Sequence, residues 1–185
     1  MDEGEIEGPT PRMLAWARNS AAYRLSRKMM TERELSDAVS RKARQKFEEI
    51  SEAQVQVLAA AAVEFGRQVR ALDDVSYAEI KVRSSARSGK SKRAIARKLV
   101  DKGIDRETVA EALAETDDLP SALIFARKRG FGPFRRAEGD EKRETREFSA
   151  FARNGFGFDV TRRVMGMDRD EAETILADQA ILGSL

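Results

Sequence analysis

Helix-start and helix-stop signals return about every fifty residues along this chain, and that recurrence limits its fold more than any other feature. Thr31-Glu32-Arg33-Glu34 and Ser51-Glu52-Ala53-Gln54 are capping boxes. In each, a hydroxyl can accept the backbone N–H three residues on, and the residue there can reach back to the cap. Thr10-Pro11 reads as an N-cap followed by proline at the first helical position. Asp73-Asp74, Asp105 and Asp168 open further helices, while Gly89, Gly103 and Gly155 stop them.

Apolar residues fill the intervals at helical spacing. Leu14, Ala21, Leu25 and Met29 keep one face of a long first helix apolar. Leu35 and Val39 serve a second helix, and Val55, Leu58, Ala62, Phe65 and Val69 a third. Ile95 and Leu99, then Val109, Ala112 and Leu113, line two more. Leu119, Ala122, Leu123 and Ala126 begin a third round, which continues with Phe148, Phe151 and Ala152 and ends with Val160 and Val164. A loop is expected over 130–140 and a short last helix after Asp168. No stretch alternates with the period of a strand. Aromatic residues make up 6% of the chain and charged residues 36%, which suits narrow apolar stripes on solvated helices.

These signals predict an all-α chain of tandem three-helix repeats. The expected divisions are a disordered acidic tail over 1–10, repeats over 11–71, 72–116 and 117–166, and a C-terminal helix and tail over 167–185. Three short helices cannot bury their apolar faces alone, so adjacent repeats must stack.

Cysteine and histidine are both absent. That removes disulfides, the cysteine nucleophile, the usual zinc ligand sets and the commonest general base. Asp73 and Asp74 suit helix capping better than metal binding. No catalytic residue, cofactor or metal is expected. The acidic start lacks the apolar run of a secretory signal, and the longest apolar run, Val57 to Val63, is too short to span a bilayer. A cytoplasmic monomer without membrane contact is expected.

Net charge is +2, but the charge is segregated. Residues 1–10 carry four acids and no bases, whereas 81–103 carry nine bases and the single acid Asp101. Within that segment Arg83 and Arg87 lie one helical turn apart, as do Arg93 and Arg97, which fall opposite Ile95 and Leu99. Lys90 and Lys92 occupy the joint between the two helices. Solvated faces normally mix signs, so Arg83, Arg87, Lys90, Lys92, Arg93 and Arg97 form the candidate partner-binding surface.

Two other motifs have simpler readings. Gly89-Lys90-Ser91 ends like a nucleotide-binding phosphate loop, but Ser84 stands where that loop needs its first glycine, and a helix precedes it instead of a strand. A helix–turn–helix joint is expected. Phe131-Gly132-Pro133-Phe134 and Gly155-Phe156-Gly157-Phe158 could stack nucleobases, but core anchors beside glycine turns are expected from the burial preference of phenylalanine.

The ordered set from Leu72-Asp73-Asp74-Val75-Ser76-Tyr77-Ala78-Glu79 through Val82-Arg83-Ser84, Arg87-Ser88-Gly89-Lys90, Ile95, Leu99 and Lys102-Gly103-Ile104-Asp105 resembles the central repeat of the RecX family. The run from Phe151 to Val164 resembles that family's final repeat, and Tyr23-Arg24-Leu25 through Glu34-Leu35 its opening repeat. Lys81 departs from the pattern, standing where the family usually has an apolar residue, and the first repeat carries an insertion before Ile50. The resemblance spans about residues 20–166. It implies an elongated, curved helical array that lies in the groove of the RecA–DNA filament. It further implies restraint of RecA's recombinase, ATPase and coprotease activities, without chemistry of the regulator's own. The alternative is a helical module that binds single- or double-stranded DNA directly through the basic 81–102 segment.

Overall fold

The computed structural model describes residues 8–137 and 140–182. Most of the expected acidic tail, the tip of the 130–140 loop and the last three residues lie outside the described residues. In order, the helices are α1 (Pro11–Leu25), α2 (Glu32–Lys46), α3 (Glu52–Gln68), α4 (Asp74–Arg87), α5 (Lys92–Asp101), α6 (Arg106–Leu113) and α7 (Asp118–Arg129). A 3-10 turn over Gly132–Phe134 follows, then α8 (Glu141–Arg153), α9 (Phe158–Met165) and α10 (Arg169–Leu182). Among the described residues there is no strand.

The start signals act as expected. Thr10 accepts from the Met13 N–H, and both capping boxes close, Thr31 with Glu34 and Ser51 with Gln54. Gly103 and Gly155 hold left-handed backbone just past α5 and α8. Four expectations need correction. The first helix ends at Leu25, so Met29 lies beyond it and is exposed. Met30 is buried instead, directly before the Thr31 cap, where an apolar residue packs with one in the first turns of the next helix. Val69 caps the end of α3 and is exposed, as is Ala152 on α8. The last helix has 14 residues and is not short.

The chain packs as two compact units, one drawn from Met1–Tyr77 with Asp101–Asp105, the other from Ala78–Val100 with Arg106–Leu185. The core of the first is built by Ala17 and Ala21 of α1, Leu35, Val39 and Ala43 of α2, and Val55, Leu58 and Ala62 of α3. The insertion before Ile50 appears as length in α2, which has 15 residues against 10 in α5. Phe47, at the end of α2, closes this core edge-on to Trp16 at 5.1 Å. The core of the second unit centres on Phe151, whose ring lies 5.1 Å from Phe125 and 5.7 Å from Phe156. Such pairs add about 0.5–1.5 kcal/mol beyond their area.

Each unit contains the same polar junction. In the first, Thr31 Oγ1 accepts its cap bond and also donates to the Lys102 carbonyl at 2.7 Å, while the Glu32 N–H donates to Asp74 Oδ1 at 3.0 Å. In the second, Ser91 Oγ accepts from the Ala94 N–H and donates to the Asn154 carbonyl at 2.7 Å, while the Lys92 N–H donates to Asp118 Oδ1 at 2.7 Å. Burial pushes the carboxyls of Asp74 and Asp118 above the usual range, each partly offset by the N–H it accepts. A fully buried hydroxyl thus terminates two helix ends at once, and an aspartate from the start of another helix meets the next N–H.

The glycines complete the junctions. A Cβ on Gly103 would stand 2.4 Å from Arg33 Cδ, and one on Gly155 would stand 2.6 Å from Ser91 Oγ. Gly155 has φ +87°, where an L-residue costs about 1–2 kcal/mol. Ser91 cannot withdraw without giving up its bonds. Gly155→Ala should therefore lose about 3 kcal/mol in urea unfolding, combining strain with overpacking. Gly166→Ala is the control: its φ is −93° and the added atom would make only an ordinary 3.4 Å contact. It should change stability by less than about 0.5 kcal/mol.

Candidate functional site

The candidate surface is set by the inward positions of α4 and α5. Tyr77, Ala78 and Val82 are buried on α4, as are Ile95 and Leu99 on α5, so Arg83, Arg87, Arg93 and Arg97 fall off those stripes and are exposed. Lys90 is exposed in the turn between the helices. Lys92 differs. It opens α5, is half-buried and gives its N–H to Asp118, whose raised carboxyl its ammonium helps to offset. All six residues belong to the second compact unit.

Arg83 lies 3.8 Å from Glu79, one turn earlier on α4, an exposed pair of little energetic weight. That acid stands just before the basic segment. Among the described residues no carboxylate pairs with Arg87, Lys90, Arg93 or Arg97. The arrangement can engage phosphates or acidic protein groups through four uncommitted cations on two helices and their joint.

The phosphate-loop look-alike is a joint. Ser84 to Arg87 are helical, Ser91 is a buried cap, and Gly89 packs on α7, where an added Cβ would meet Ile124 Cγ2 at 2.9 Å. Asp73 caps α4 by accepting from the Ser76 N–H at 3.0 Å. The phenylalanines divide. Phe134 and Phe156 are buried and Phe131 packs partly against them in the second core. Phe158, expected as an anchor, is 65% exposed, with its ring 5.8 Å from Phe148 and 5.1 Å from the Arg162 guanidinium. It stands on the first residue of α9, beyond the inward stripe of Thr161 and Val164.

Repeated helical junctions and a solvated cationic face define an all-helical protein of the repeat class. The model of the RecX second three-helix domain matches residues 73–113. Regulatory protein RecX of Agrobacterium fabrum (strain C58) is 60% identical over 176 residues, covering 95% of this chain and 96% of that protein. Regulatory protein RecX of Myxococcus xanthus is 40% identical over 51% of this chain and 53% of its own length. The chain belongs to the RecX family of regulatory proteins. The crystal structure of RecX from Lactobacillus salivarius shares its fold, with TM-score 0.64 at 19% identity over 91% of this chain and 99% of that one. A second crystal structure of regulatory protein RecX superposes with TM-score 0.67 at 22% identity, over 84% and 74% of the respective chains. Among the described residues no helix is long and apolar enough to cross a membrane.

Proposed function

We propose that this chain binds the RecA–DNA filament in the cytoplasm and restrains RecA's ATPase, strand-exchange and coprotease activities. Arg83, Arg87, Lys90, Lys92, Arg93 and Arg97 supply the contact surface. The observation that carries the reading is the 60% identity, over nearly the full length of both chains, with a protein named Regulatory protein RecX. The exposed cations of α4 and α5 support the choice of surface. On this reading the chain works as a monomer with three repeats, over 11–71, 72–116 and 117–166, and a terminal helix and tail over 167–185. Each repeat adds length along the filament, and no bond is made or broken.

Co-sedimentation with RecA–single-stranded-DNA filaments tests this. The chain should pellet with filaments and stay in the supernatant when RecA is omitted. Equal recovery in the supernatant with and without RecA, at filament concentrations up to tens of micromolar, sinks the reading.

A further inference from the structure

A second basic zone lies in the same compact unit, at the C-terminal end of α7. Arg127, Lys128 and Arg129 form the last turn of that helix, and Arg136, Arg143 and Arg169 converge on it from the following loop, α8 and α10. Together they line an open recess of about 450 Å³ with Gly130 and Phe134, and among the described residues no acid lines it. Residues up to 42 positions apart in sequence thus place six cations around one space.

A structural role accounts for only part of this. Cations in a last helical turn offset the negative end of the helix dipole, which rationalises one or two of the α7 residues. Arg143 is committed to Glu147 at 3.0 Å, and Arg169 to Glu173 at 2.8 Å. Lys128 Nζ donates to the Ser88 carbonyl at 2.9 Å. Arg129 lies 5.7 Å from the Phe125 ring. Among the described residues no carboxylate pairs with Arg127, Arg129 or Arg136, and all three are exposed. Three guanidinium groups without a carboxylate partner thus surround one recess, and an anion seated there would offset their mutual repulsion beyond what solvent screens.

We infer that this recess binds the phosphate backbone of a nucleic-acid strand. Guanidinium groups pair bidentately with phosphate as with carboxylate, and a run of phosphates, unlike a lone carboxylate, offers acceptors to several cations spread around one space. A strand fits better than a single free phosphate because the cations continue past the recess. Lys128 is tied to Ser88, which stands between Arg87 and Lys90 at the α4–α5 joint. Among the described residues the one ring in the lining, Phe134, is 7% exposed, so no base can stack there and recognition is independent of sequence. The site is separate from the RecA reading and is measured without RecA.

The test is fluorescence anisotropy of the full chain with labelled fifteen-nucleotide DNA strands, one oligo-dT and one of mixed sequence, at several salt concentrations. Both strands should bind equally, with affinity falling linearly against log salt. Arg127→Glu/Arg129→Glu/Arg136→Glu should weaken binding at least about tenfold and flatten the salt slope by about two, since each lost single-strand contact removes about 0.7. Circular dichroism should match the parent, because all three residues are on the surface. Unchanged affinity and slope in the triple variant overturn the proposal. So does competition by inorganic phosphate as strong as by oligo-dT at equal phosphate, which marks a single-anion site. Competition by oligo-glutamate equal to that by oligo-dT at matched charge assigns the recess to an acidic protein partner and also overturns it.

Discussion

Reversing Arg83, Arg87, Arg93 and Arg97 together to glutamate should abolish inhibition of RecA's DNA-dependent ATPase by this protein. The four side chains are exposed and stand off the buried stripes of α4 and α5, so the helices should survive. Surface changes of this kind usually cost less than about 0.5 kcal/mol each. At a partly desolvated interface each lost charge contact costs about 2 kcal/mol or more. Two such losses already weaken binding about a thousandfold, and reversal adds repulsion to loss. For the parent protein, inhibition should weaken as salt is raised, because partly exposed charge pairs are screened within about 8–10 Å. Glu107 and Glu111 on α6 provide the control, since reversing them should do much less. The variant should be measured for ATPase inhibition beside a circular dichroism spectrum. A folded quadruple variant that inhibits like the parent would move the contact surface elsewhere on the molecule.

Glu147→Gln should be the most destabilising isosteric change in the second compact unit. Glu147 is 2% exposed. Its carboxylate accepts from the Gly132 N–H at 2.9 Å, from Arg135 Nε at 3.0 Å and from Arg143 Nε at 3.0 Å. These bonds hold the segment after α7 against α8. Glutamine keeps the shape but leaves the Arg135 guanidinium, itself 15% exposed, without its buried counter-charge. Removing one partner of such a pair costs about 3 kcal/mol, taken at the low end because Arg143 is partly solvated. Urea unfolding at pH 7 checks the value. Replacing Arg135 and Glu147 together with apolar residues should recover part of the loss, because no buried charge is then left unpaired, and Arg143 and Glu144, which each lose a partner, reach solvent.

The pH dependence has a definite sign. Burial pushes the Glu147 carboxyl up, but Arg135, the Gly132 N–H and Arg143 outweigh it and hold it below the usual range. Its contribution is therefore complete above the ordinary glutamate value of about 4.3 and is lost as pH falls through the lower folded value. The stability gap between parent and Glu147→Gln should be constant near neutrality and close in acid. Glu34 acts in the same direction: burial raises it, while Lys102 and the Thr31 N–H lower it further. Asp74 and Asp118 act oppositely. Their carboxyls are raised, so the native state is relieved as they protonate. A gap that widens on acidification would refute the assignment of Glu147.

The sequence by itself determined the helices, because what starts and stops them is local. A cap hydroxyl meets an N–H three residues on, and a glycine at a left-handed stop needs no distant partner. Thr31, Ser51, Gly103 and Gly155 were legible for that reason, and so was the basic run on α4 and α5, where charges one turn apart share a face. Helix ends were less legible. Met29 and Val69 continue an apolar spacing past the point where the backbone has already turned. Tertiary structure alone decided what each cap touches besides its own helix. Nothing near Ser91 announces Asn154, 63 residues away, and nothing near Asp74 announces the N–H of Glu32. Glu147 sits in a highly charged helix that reads as solvated, and it is buried only because Gly132 and Arg135 fold onto it. The α7 recess is the same case, since its cations come from four segments whose convergence no spacing encodes. Caps and stripes depend on contacts within one or two turns, whereas burial and charge clustering depend on which helices pack side by side.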